Sequence, residues 1–110
     1  MMAEEKTMVL CGANSYEQKY YFNEIFKSIP KSVQDELHIM CVLFTENCGG
    51  ILTLEFRQDG TLLLKTCADD RDYYFDEIEA ELQIRKIQRE KEELLTSLEL
   101  YFRTVILGQE

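Results

Sequence analysis

Between Asp72 and Leu107 the chain has neither glycine nor proline. Nothing in that run breaks a helix, and both of its ends are marked. Asp69, Asp70 and Asp72 can accept hydrogen bonds from free amides and favour the positive end of a helix dipole. Gly108 is a natural stop. Inside the run, Ala80, Ile84, Ile87, Leu94, Leu98, Tyr101 and Val105 follow a four-three spacing broken once at Lys91, a heptad-like seam. A straight helix of about 36 residues would be roughly 54 Å long. A compact domain of this size is only on the order of 30 to 35 Å across. The helix must therefore break near "QREKEE" or have its overhang covered by a partner. Covering by a second copy or another protein would use the seam positions Ile87, Leu94, Leu98, Tyr101 and Val105. The stretch "LLTSLELYFRTVIL" is apolar on more than one side, which favours burial against a sheet or another chain.

The middle of the chain reads as sheet. "ILTLEFR" alternates, with Leu52, Leu54 and Phe56 on one face and Thr53, Glu55 and Arg57 on the other. Asp59-Gly60 is a hairpin signal because both residues tolerate positive φ, and "TLLLKTC" follows it. "LHIMCVLFT", residues 37–45, is almost continuously apolar, as expected of a strand covered on both faces. A helical stripe of Val33, Leu37, Met40, Cys41 and Phe44 fits the same residues. We expect a short helix over residues 30–36, opened by Pro30 and by the Ser32-to-Asp35 capping pattern. A three-stranded antiparallel meander over residues 37–67 would follow, with a further neighbour from "KTMVLC" or "KYYF". The resulting fold is a single α+β domain spanning residues 1–110, an antiparallel meander packed against a long C-terminal helix, either straight or kinked.

Charge limits the partners. With 21 acidic and 12 basic residues the formal charge is −9, which repels phosphate backbones and anionic lipid. Nucleic acid and membrane surfaces are therefore not expected partners. No apolar run approaches the roughly 20 residues that span a bilayer, and "MMAEEKTMVLCG" does not read as a secretory signal. A cytoplasmic protein with free thiols is expected. Cys11, Cys41, Cys48 and Cys67 contain no CxxC pair, and His38 is the only histidine, so neither a metal site nor a cofactor is expected.

Chemistry-bearing residues concentrate in "CGANSYEQKYYFN". A nucleophilic reading would pair Cys11 or Ser15 with a base, for which only His38 exists. A turn reading uses Gly12 and Asn14 for unusual φ, Asn14 or Ser15 as a cap, and the tyrosines as packing or surface residues. Cys11, Asn14, Tyr16, Tyr20 and Tyr21 are the candidate ligand- or partner-binding residues. "ADDRDYYFDE" lacks the register of a calcium loop and reads as a capped, solvated helix start.

"CGANSYEQKYYFN", "IPKSVQDELHIMCVLFTENCGGILTLEF", the acidic segment before the helix and "LELYFRTVILG" together resemble an uncharacterised family. Its members are short cytosolic proteins of clostridia-type Gram-positive bacteria that carry a domain of unknown function. The resemblance implies a cytoplasmic bacterial protein and brings no activity or catalytic residue. The expected role is a non-enzymatic interaction or adaptor module, as a homodimer or with another protein. A small-ligand sensor with a pocket near residues 16–21, and a small enzyme using Cys11 or the Asp70-to-Asp76 cluster, are the alternatives.

Overall fold

The structure, a computed structural model, describes residues 6–109. In chain order come strands β1 (Met8–Asn14) and β2 (Lys19–Phe22), helix α1 (Lys31–Cys48), strands β3 (Ile51–Phe56) and β4 (Leu62–Cys67), and helices α2 (Glu77–Glu90) and α3 (Glu92–Tyr101). The strands make one four-stranded sheet in the order β2-β1-β3-β4, antiparallel throughout. The fold is α+β, with its last helix at the C-terminus.

The expected strand over residues 37–45 is instead the body of α1, and this corrects the meander. Leu37, Met40, Cys41 and Phe44 are buried, one stripe of a 3.6-residue period, whereas Ile39 and Leu43 between them are exposed. The short helix expected at residues 30–36 is the first part of this 18-residue helix. It ends at Gly49, whose φ of 74° is a conformation that glycine adopts without steric cost. The third strand beside the β3–β4 hairpin is β1, paired Cys11 to Leu54 and Ala13 to Leu52.

Period-two alternation places Cys11, Ala13, Leu52, Leu54 and Phe56 on the buried face, beneath the helices. Phe26, Phe56 and Phe102 form an aromatic cluster there, with the Phe56 and Phe102 rings stacked at 4.3 Å. The opposite face carries Tyr21, Thr53 and Lys65 in one cross-strand row through Gly12. A Cβ at Gly12 would meet the Leu52 carbonyl oxygen at 2.8 Å, so only glycine fits this row without moving β3.

The C-terminal run is divided. Residues 69–75 form turns, and the helix starts only at Glu77, where the Asp76 carboxylate accepts from the Ile78 and Glu79 amides. Lys91 leaves helical geometry at φ −111°, ψ 23°, and separates α2 from α3. Its ammonium donates to Glu36 at 3.0 Å, which ties the joint to α1. After Tyr101 the backbone widens into a π turn over Phe102–Ile106. The molecule measures 45 × 41 × 25 Å, too small for an unbroken helix of the expected length. Among the described residues, no helix is long and apolar enough to cross a membrane.

Candidate functional site

The stretch from Cys11 to Asn23 is the β1–β2 hairpin, and its residues do separate jobs. The Asn14 side-chain oxygen Oδ1 accepts from the Tyr16 and Glu17 amides, closing the turn. The positive φ expected near Gly12 and Asn14 belongs to Gln18, at 54°. Asn23 ties down the irregularity between Val9 and Cys11: its side chain donates to the Val9 carbonyl and its amide to the Leu10 carbonyl. Tyr16 leaves the hairpin and straps the loop before α2. Its hydroxyl donates to Asp72 at 2.6 Å and accepts from the Asp69 amide at 3.0 Å. The bond to Asp72 holds the Tyr16 phenol above its ordinary pKa, because the proton is shared with a carboxylate. Tyr21 is 55% exposed on the open sheet face.

Cys11 is fully buried, and its sulfur lies 3.9 Å from that of Cys41, also fully buried on α1. The contact with Cys11, followed by burial, pushes the Cys41 thiol far above its ordinary range. Tyr20 closes the top of this pair and stacks on His38, rings 4.1 Å apart and 11° from parallel. Burial, then the two thiols, pushes the Tyr20 phenol well up, and its hydroxyl has no hydrogen-bond partner among the described residues. Beside the stack lies a groove of 570 Å³ whose rim includes Asn14, Gln18, Lys19, Tyr20, His38 and Glu46. The structure thus brings Asn14 and Tyr20 to this groove, places Tyr21 with the same two residues on a recess of 360 Å³, buries Cys11, and sends Tyr16 to the loop before α2.

The acidic residues after Ala68 act as local caps. Asp69 accepts from the Arg71 amide, Asp72 from the Tyr74 amide, and Asp76 from the first turn of α2. Among the described residues, no group of three or more histidine, cysteine or acidic side chains is placed to hold a metal ion.

A second groove, of 580 Å³, runs between α1 and α2. The two helices are antiparallel, since Glu36 near the start of α1 meets Lys91 just beyond α2. Met40, Phe44 and Ile87 contribute apolar surface to it, and Ile39, Leu43 and Lys86 also line it. Ile39 and Leu43 are 61% and 51% exposed; Ile78 and Leu82 on α2 are 75% and 54% exposed. Each pair is spaced i, i+4 and so shares one side of its helix. Ala80, Ile84 and Ile87 face the core, which puts Ile78 and Leu82 on the outer side of α2. Sequence reasoning missed these four. The available signal was the helical stripe within residues 33–44, which leaves Ile39 and Leu43 off the core side.

The seam residues divide differently. Leu98 is 3% exposed in the core, and Ile87, Leu94 and Tyr101 are partly buried against it. The Tyr101 hydroxyl is 2.6 Å from that of Ser28. Val105 faces solvent.

The chain belongs to a family of unknown function, DUF6145, whose model matches residues 7–110. No curated protein and no solved structure matches it.

Proposed function

We propose that this member of DUF6145 is a non-enzymatic protein-interaction module that offers the outer side of its α1–α2 layer to another polypeptide. One observation carries the reading: Ile39, Leu43, Ile78 and Leu82 stay exposed as two i, i+4 pairs on adjacent helices, with an apolar groove between the helices. A single exposed leucine means little, whereas a grouped apolar surface marks an interaction site. Grooves between helices accept amphipathic helices through such spacing. Covering what remains exposed of these four side chains supplies on the order of 4 to 7 kcal/mol before the costs of association, so the full contact extends beyond them.

The test is native mass spectrometry of the purified wild type over a concentration series, beside a Leu43→Asp/Leu82→Asp variant that breaks the exposed pair on each helix. The wild type is expected to carry a second polypeptide, and the variant to lose it while keeping its circular dichroism. A wild type that stays free of any polypeptide overturns the reading. The groove beside the Tyr20–His38 stack supports a second reading, a small-ligand sensor. Its rim mixes two rings with Lys19 and Glu46, the chemistry for a small polar molecule. A monomer carrying a reproducible small-molecule mass would favour that reading.

A further inference from the structure

We propose that the outer side of α2 docks on the same helix of a second copy, antiparallel, about a two-fold axis near Leu82; this rests on the interaction-module reading. The helix region is polarised. Seven of the residues 69–81 are acidic against the single base Arg71, whereas residues 82–91 hold four bases against the single acid Glu90. Lys91 is bonded to Glu36, and Glu92 and Glu93 follow it, so in a chain of net charge −9 the local positive stretch is Arg85, Lys86 and Arg89. Two parallel copies would set like ends together. Two antiparallel copies set the acidic end of each beside the basic end of the other, and a two-fold contact makes every such pairing twice.

Register follows from the helical period. With Leu82 facing Leu82, the flank of α2 that carries Glu79 also carries Lys86. Glu79 lies three residues before the axis and Lys86 four after it, so the two-fold sets Glu79 of one copy beside Lys86 of the other with an offset of one residue, about 1.5 Å along the helix. On the opposite flank Glu81 of one copy comes beside Arg85 of the other. Within one copy Arg85 already bonds Glu81 at 2.9 Å, but both side chains are about two-thirds exposed and free to exchange partners. The apolar centre is Ile78 and Leu82, covered by each other and by the aliphatic stems of Arg85 and Lys86.

Sedimentation equilibrium of a charge swap tests this. Glu79 and Lys86 are exposed and lie outside the core, so Lys86→Glu and Glu79→Lys are expected to fold. Each variant alone sets like charges together twice per dimer and is expected to raise the dimer Kd by at least about tenfold. An equimolar mixture restores both pairings and is expected to return the Kd to near the wild-type value. Ile78→Ser/Leu82→Ser provides a loss of dimer that needs no change of charge. If the wild type dimerises but both single variants keep its Kd, or the mixture restores nothing, this surface is wrong while the interaction-module reading stands. If the wild type is monomeric at every concentration, the self-docking inference falls. The broader reading falls with it only if no other polypeptide copurifies.

Discussion

Replacing Leu98 distinguishes a monomer core from an oligomer seam. Its side chain is 3% exposed within the main hydrophobic cluster. Truncating such a leucine to alanine removes buried methyl groups and leaves a cavity, at a cost of about 2–5 kcal/mol. The total stability of a chain this size is on the order of 5–15 kcal/mol. At roughly 4 °C per kcal/mol, Leu98→Ala should lower the melting temperature by about 10–20 °C. Leu98→Glu buries a carboxylate without a partner and should leave the chain largely unfolded at 25 °C. Val105, with the same seam spacing but 57% exposed, is the control. Val105→Glu should change stability by no more than about 0.5 kcal/mol. Thermal melts followed by far-ultraviolet circular dichroism, with sedimentation velocity on the same samples, read both effects. A Leu98→Glu protein that melts cooperatively at the wild-type temperature and only changes its mass would refute the reasoning, because Leu98 would then face a partner.

Tyr16→Phe removes both hydrogen bonds of the strap to Asp72 and Asp69. Amide exchange across residues 68–76 should quicken while the melting temperature moves little, because both bonds of the strap are exposed to water; unchanged exchange there would contradict the strap. Among the thiols, exposed Cys67 should react first with a disulfide reagent. Cys48 should follow more slowly, since burial and then the Glu79 and Asp76 charges push its thiol up, and Cys11 and Cys41 should react only on unfolding. Native-state labelling of Cys11 as fast as Cys67 would show that the hairpin does not seal it. Glu55 is desolvated, which alone would raise its pKa, but hydrogen bonds from Thr7 and Thr53 and the Lys65 charge outweigh this and hold it below the ordinary carboxylate range. Its stabilisation is therefore complete above the unfolded pKa and disappears as pH falls through the lowered folded value. Glu55→Gln should be less stable than wild type at pH 7 by about 1–2 kcal/mol, with the gap closing in acid; a gap independent of pH would show that the loss is steric.

The hairpin of β3 and β4 was legible because its cues are local: strict alternation in residues 51–57 and an Asp-Gly turn. β1 was legible only as a possible neighbour. Its place between β2 and β3 depends on pairing Cys11 with Leu54, far along the chain, and no short-range pattern encodes that. The hairpin from Cys11 to Asn23 shows the same limit. Residue types identified a turn with tyrosines around it, and the Asn14 cap follows from them. That Tyr16 straps Asp72 while Tyr20 covers two thiols depends on which elements the fold brings alongside.

The misreading of residues 37–45 and the proposed site have one physical cause. A helix that serves only its own core needs a single apolar stripe, and Leu37, Met40, Cys41 and Phe44 supply it for α1. Ile39 and Leu43 are apolar beyond that need, and they make the run look like a strand covered on both faces. α2 repeats the pattern, with Ala80, Ile84 and Ile87 toward the core and Ile78 and Leu82 away from it. Residues that break a local rule without serving the core are where function is expected to lie. Both helices carry a second apolar side, outward and on adjacent elements, so an occupant that covers one can reach the other.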